Sequence, residues 1–378
     1  MPVREHRRRA RARQRRVLLL ALLGAALALL LVLLFTVGPF GSHLQRPGKP
    51  PLGYLRQPLG GRHYRVAAWT LGDSASLAAA IAAKSVDEVD FDWYLSQPDG
   101  SVLPIHENLP LVAKARDGDT NLFATVTNRP SAKATFSRTL ARTIMATSQS
   151  RQRHIAALVK LTVDKGFDGI DLDWEDLAAA DRDRFSGFVE ELAAALHARH
   201  RFLSVAVYPK SSEPGTWGPQ KAADYARLGA AADELKIMTY AFSGGWSAPG
   251  PQAPTGWLNK VLTFAERQVP AAKIAMGVPL FGFDWHGGHA YAIDAAYAAT
   301  AAARYKAPVT RDAKSGEAVL RYSDSAGVLH VLYFQDQRAV AAKLAFLRRR
   351  HPHLGGVAFW VMGQERAGTW QTVEKALR

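Results

Sequence analysis

Asp171, Asp173 and Glu175 fall at i, i+2 and i+4 in the run Gly169-Ile170-Asp171-Leu172-Asp173-Trp174-Glu175, with apolar residues between them. On a strand this spacing puts three carboxylates on one face, with neighbouring Cα atoms about 6.5–7 Å apart. Like charges that close cannot all ionise cheaply, so at least one carboxyl must keep its proton above the usual range. A carboxylic acid held protonated near neutral pH is what a general acid requires. Exposed edge strands and metal loops also gather acidic residues. Here a glycine opens the run and a helical pattern follows it, which does not match an exposed edge. The Gly and Glu spacing is not that of an EF-hand either. The run reads as catalytic carboxylates at the C-terminal end of a strand.

Strands and helices must position these groups. Short apolar runs at 65–70, 87–94, 121–127, 169–174, 203–208, 235–240, 273–278 and 355–361 alternate with amphipathic stretches such as Arg182–His197 and Asp336–Arg349. Eight such alternations predict a (β/α)8 TIM barrel over residues 62–378. A doubly wound open sheet would show a Gly-rich phosphate turn after its first strand, and Trp69-Thr70-Leu71-Gly72-Asp73 is not one. The long interval between the seventh and eighth runs carries a helical pattern, Ile293–Arg304. It also carries a hairpin pattern, Ala318–Tyr322 with Val328–Phe334. It predicts a small α+β insertion, about residues 286–335, on the rim of the barrel.

Composition narrows the classes. Of 378 residues, 48% are hydrophobic and 21% charged, enough to build a large core. The net charge of +15 is uneven, because residues 1–16 alone hold eight Arg against one Glu. No basic stripe with interleaved aromatics follows, so a nucleic-acid partner is not expected. Residues 17–37 are apolar and free of charge, long enough to span a bilayer as a helix. The Arg-rich residues 1–16 before them belong on the cytoplasmic side. A cleaved signal peptide is the rival, but Thr36-Val37-Gly38-Pro39-Phe40-Gly41 is a poor cleavage site. The expectation is an uncleaved anchor, a Pro/Gly-rich linker over 38–61, and a barrel outside the cytoplasm. The chain has no Cys, so an exported domain must rely on its core without disulfides.

Asp168-Gly169-Ile170-Asp171-Leu172-Asp173-Trp174-Glu175 resembles the DGxDxDxE signature of the family 18 glycoside hydrolases, the chitinase-like barrels. Met238-Thr239-Tyr240 resembles the family's sixth-strand motif, and Gly356-Val357-Ala358-Phe359-Trp360 its eighth strand. Met276–Trp285, Arg321–Asp324 and Tyr333–Asp336 resemble the spore-germination and cortex-lytic N-acetylglucosaminidase branch. Where the family commonly has an acidic residue after the sixth-strand Tyr, this chain has Ala241, so that substrate contact is missing.

The resemblance implies a substrate-assisted retaining mechanism, in which the sugar's own 2-acetamido group attacks the anomeric carbon. Glu175 would be the acid and then the base. Asp173 would hold the acetamido N–H, and Asp171 would share a proton or hydrogen bond with Asp173. Tyr240 would donate to the acetamido oxygen, and Trp360 would floor the central sugar. Asp168 is expected to be structural. Trp69 and Asn128, at the ends of strands one and three, are expected to line the cleft. Asp284 is expected to contact a sugar hydroxyl and Trp246 to stand on the rim. His286 and His289 read as a plain loop, since nothing in the spacing supplies further metal ligands. No Walker loop or Ser-His-Asp order stands out, so neither metal nor cofactor is expected. The expected function is cleavage of a β-linked N-acetylglucosamine polysaccharide: peptidoglycan, chitin-like or poly-N-acetylglucosamine. A non-catalytic glycan-binding or scaffold protein on the same barrel is the alternative.

Overall fold

Eight parallel strands close on themselves in the computed structural model, which describes residues 64–117 and 120–377. They are β1 (Arg65–Thr70), β2 (Glu88–Ser96), β4 (Asn121–Thr127), β5 (Gly169–Asp173), β6 (Phe202–Val207), β7 (Glu234–Ile237), β8 (Ile274–Pro279) and β14 (Gly356–Trp360). Each pairs in parallel with the next, and β14 and β2 both pair with β1, so the sheet has no open edge among these eight. This is the expected (β/α)8 barrel. One short strand, β3 (Val102–Pro104), was not foreseen; it folds back antiparallel on the end of β2. The apolar span 17–37, the basic segment before it and the linker lie outside the described residues. Among the described residues no helix is long and apolar enough to cross a membrane.

Alternation along the strands makes the barrel. On β5, Ile170 and Leu172 face outward, fully buried under the surrounding helices, while Asp171 and Asp173 belong to the opposite, inward row. Gly169 opens that strand because a Cβ there would sit 2.5 Å from the carbonyl oxygen of Phe202 and 2.6 Å from the ring of Phe123. The helix Arg182–His197 buries Phe185, Phe188, Val189, Leu192 and Leu196, the i, i+3, i+4, i+7 stripe of a helix packed on a sheet. Truncating one such fully buried side chain costs about 2–5 kcal/mol. The helix Gln337–Arg350 begins one residue later than its pattern predicts, since Asp336 is its N-cap and accepts from the Ala339 amide at 2.9 Å.

Between β8 and β14 lies a second, five-stranded antiparallel sheet. It is formed by β9 (Gly282–His286), β10 (His289–Ile293), β11 (Thr310–Arg311), β12 (Ala318–Ser323) and β13 (Leu329–Phe334), with the helix Ala295–Arg304. The expected insertion is therefore present, but it begins at Gly282 rather than near 286. The chain leaves the barrel at Pro279 and enters the second sheet at Gly282, three residues later. A Cβ at Gly282 would lie 2.2 Å from the Tyr333 carbonyl oxygen, so only glycine allows this close crossing.

Candidate active site

Asp171 sits fully buried inside the barrel, and its neighbours in register are Thr125 on β4 and Ser204 on β6. Those hydroxyls reach it directly: Thr125 Oγ1 donates to Oδ2 at 3.0 Å and Ser204 Oγ to Oδ1 at 2.6 Å. Trp69 Nε1 donates to Oδ2 at 2.7 Å, and Lys236 Nζ to Oδ1 at 3.1 Å. Four donors occupy the roughly four lone-pair positions of a carboxylate. None remains for Asp173, and among the described residues no hydrogen bond joins the two. The expected Asp171–Asp173 proton sharing is thus not the arrangement seen. Asp171 is anchored from four strands, and it acts on Asp173 through its charge.

Asp173 is held well above the usual carboxylate range, first by burial, then by the charges of Glu175 and Asp171. Its Oδ1 is buried without a hydrogen-bond partner, and the residue lines a cavity. An acceptor left open at that place is what an amide N–H of a bound ligand would satisfy. Glu175 follows the end of β5. Burial raises its carboxyl to about 7, against the downward pull of the Tyr208 hydroxyl and the Arg129 guanidinium. The Tyr208 hydroxyl donates a short hydrogen bond to Glu175 Oε2.

The backbone of Glu175 is held as firmly. Asn128 Oδ1 accepts its N–H at 2.9 Å, and Asn128 Nδ2 donates to its carbonyl at 2.9 Å. Asn128 is fully buried and does not line the cleft; it is a bracket that fixes where the acid stands. Its place at the end of β4 was read correctly, but its amide turns inward because both of its polar ends find main-chain partners there. Behind the acid, Trp174 stacks on Phe188 at 4.7 Å and donates to Ser96 Oγ at 3.1 Å. His154 stacks on the same indole, and burial lowers its imidazole to about 4, so it is neutral packing.

The cleft has two lobes, of about 670 and 270 Å3, and Glu175, Met238 and Tyr240 border both. The smaller lobe holds Asp173, with Trp360 packed edge-on against Trp69 at 5.7 Å. Trp69 and Trp360 both line this smaller lobe. The larger lobe is walled by Tyr208, Trp217, Phe242, Trp246 and Trp257, with Ala241 among them. Trp246 is 69% exposed, a rim residue as expected. Tyr240 stands at the junction, its phenol raised well above its ordinary range by burial and then by Asp173 and Glu175.

Asp284 does not reach either lobe. Period-2 alternation on β9 sends Phe283 and Trp285 toward the loop that carries Trp246, and Asp284 to the opposite face. There it is fully buried, accepting from Tyr297 Oη at 3.0 Å and lying 2.7 Å from His330 Nδ1. It is not a sugar contact. Asp168, by contrast, is structural as expected, its Oδ2 accepting the Leu122 amide at 3.0 Å.

Three groups of the site escaped the sequence reading. Tyr208 closes the β6 run, where a polar aromatic at a strand's C-terminal end was the available signal. Arg129 forms a two-pronged pair with Asp92 at 3.0 and 3.2 Å on the wall of the smaller lobe. Lys236 lies at the heart of the barrel, 2.7 Å from both Glu88 and Asp90 as well as 3.1 Å from Asp171. Desolvation alone would depress this ammonium. The surrounding charges of Asp171, Asp90 and Glu88 outweigh it and hold it well above its usual range. Burial in turn raises Glu88 and, further, Asp90.

A carboxyl near 7 sets a pH limb for any reaction that takes its proton. Only protonated Glu175 can give a proton, so kcat/KM should fall as pH rises through about 7. The Tyr208 hydrogen bond favours the anion and pulls that value down, so Tyr208→Phe should move the limb to higher pH. A pH profile of kcat/KM checks this, and an unmoved limb would remove Tyr208 from the acid's environment.

The family model for glycosyl hydrolases family 18 matches residues 114–365. The protein YdhD of Bacillus subtilis (strain 168) is 34% identical over 231 residues, which are 60% of this chain and 54% of YdhD. The cortical fragment-lytic enzyme of Bacillus anthracis is 28% identical over 281 residues, 72% of this chain and 64% of that enzyme. The matches thus span only about half to two thirds of the length of these two relatives. Among solved structures, a chitinase from Chromobacterium violaceum ATCC 12472 superposes with a TM-score of 0.76 at 29% identity, covering 83% of this chain and 99% of that one. The chain belongs to glycosyl hydrolase family 18, and it is related to chitinases and to cortex-lytic enzymes of spores.

Proposed function

We propose that this family 18 protein is a glycosidase that cleaves a β-linked N-acetylglucosamine polysaccharide by substrate-assisted retention, outside the cytoplasm, anchored by residues 17–37. The observation that carries the reading is the unpartnered Oδ1 of Asp173, a residue that lines the small lobe with Trp69 and Trp360, beside a Glu175 carboxyl that burial raises to about 7. That acceptor suits the N–H of a 2-acetamido group. With the N–H held, the acetamido oxygen attacks C1 while the C1–O bond to the leaving sugar breaks and Glu175 transfers its proton to the departing oxygen. The resulting oxazolinium is positively charged; that charge favours the anion of Asp173, which with Asp171 behind it supplies the balance. Water deprotonated by Glu175 then adds to C1 and reopens the ring with the original configuration. The larger lobe, walled by Trp217, Trp246 and Trp257, offers faces on which further sugar rings of a polymer can stack.

The anchor rests on the uncharged length of residues 17–37 and the eight Arg before it. One experiment addresses substrate and anchor together. The full chain is recovered from fractionated cells and incubated with peptidoglycan, chitin oligosaccharides or poly-N-acetylglucosamine, and released reducing ends are identified by mass spectrometry. The expected result is a membrane-fraction protein that releases products ending in β-configured N-acetylglucosamine. Recovery in the soluble fraction would reject the anchor. Binding of all three polymers without any product would favour the glycan-binding reading, for which the missing acidic contact at Ala241 is the argument.

A further inference from the structure

The second sheet brings together three side chains whose spacing in sequence conceals their proximity. Asp284 and His286 are two apart on β9 and so share a face. The antiparallel register that sets Trp285 against Val331 and Asp284 against Leu332 carries on to set His286 beside His330 of β13. His330 Nδ1 lies 2.7 Å and His286 Nδ1 3.4 Å from Asp284 Oδ2. One ligand atom from each of the three lies within 4.8 Å of the others. Hydrogen bonding leaves this cluster incomplete: Asp284 Oδ1 and His286 Nδ1 are both buried with no hydrogen-bond partner. Asp284 is fully buried, so an open acceptor there carries the full desolvation penalty unless something fills it.

We propose that Asp284, His286 and His330 form a divalent-metal site of the zinc type. Two imidazoles and one carboxylate are a nitrogen-rich donor set that suits Zn2+ and not Ca2+ or Mg2+, which ask for oxygen. The surroundings are those of a metal's outer shell. Ligating imidazoles usually give their second ring N–H to a carboxylate, and His330 Nε2 lies 3.7 Å from Asp324 Oδ2. The Tyr297 hydroxyl holds Asp284 at 3.0 Å, and Tyr322 stacks on His330 at 4.6 Å, fixing the ring. His286 is the adjustable member, since its side chain is 29% exposed. It stacks on His330 at 4.2 Å and tilts out of that stack to ligate. The side on which it is exposed leaves the fourth position to water. A bound ion links β9 to β13 and so stiffens the sheet whose other face carries Phe283 and Trp285, the residues packed on the Trp246 loop.

The test uses the full chain, tag removed, stripped with chelator and titrated with Zn2+ and Co2+ alone. One saturable equivalent is expected, with the visible d–d bands of low-coordinate Co2+ and a raised unfolding midpoint. His286→Ala and His330→Gln should each remove these responses. Asp324→Asn should weaken affinity about 10–100-fold, the usual effect of an outer-shell partner. His286→Ala changes a part-exposed ring and leaves the sheet's core intact. Circular dichroism matching wild type, with binding lost, therefore identifies a ligand and not a folding defect. Absence of a saturable equivalent in the wild type, or unchanged binding in both histidine variants, would overturn the site.

Discussion

Glu175→Gln should lower kcat on an unactivated β-glycoside by about 10²–10⁴-fold, the usual contribution of a positioned general acid. The substitution keeps size and leaves in place the Asn128 bracket, which holds only backbone atoms of residue 175. What it removes is a proton that burial keeps on the carboxyl up to about pH 7. Binding of N-acetylglucosamine oligomers, followed by calorimetry, should survive, because Trp69, Trp360 and the aromatic wall of the larger lobe are untouched. Aryl glycosides with acidic phenol leaving groups should lose much less, since they depart with little protonation. A variant that hydrolyses oligosaccharides at the wild-type rate would exclude Glu175 as the acid.

Lys236→Met should destabilise the barrel by about 3–5 kcal/mol, the cost of leaving buried charges without a partner. One ammonium touches Glu88, Asp90 and Asp171, and all four side chains are buried at 2% exposure or less. Methionine fills the volume but supplies no charge. Asp171 also loses one of the four donors that hold it, so turnover should fall along with stability. Denaturant unfolding followed by Trp fluorescence measures the first effect. The double variant Lys236→Met/Asp90→Asn supplies the control: removing one of the stranded carboxylates should recover part of the loss. A loss within the range of surface ion pairs, about 0–1 kcal/mol, would show that the ammonium is not compensating these groups.

Much of the architecture was legible in the sequence because it rests on local periodicity. The eight barrel strands and the helices Arg182–His197 and Ala295–Arg304 follow from period 2 and period 3.6 in apolar residues. The hairpin of β12 and β13 is legible in the same way. Asp173 was readable for the same reason, since alternation on a single strand places it inward, and Glu175 continues that spacing just past the strand's end. The insertion's start was misjudged because a glycine, not a turn signal, lets the chain change sheets at Gly282.

Sequence by itself determined which face of β5 carries acid and which carries core, and so where a proton donor had to be. Only the tertiary structure decided what each acid does. Asp171 is saturated by donors from β1, β4, β6 and β7, groups 33 to 102 residues away in the chain. Asp173 keeps an open oxygen because no strand offers it a donor. Asn128, at a strand's end, and Asp284, in the segment after the seventh strand, were both assigned to the cleft, yet one turned to the Glu175 backbone and the other to two histidines. Periodicity assigns a side chain to a row on one sheet. Partners on other strands are set by register and barrel closure, which no local pattern encodes.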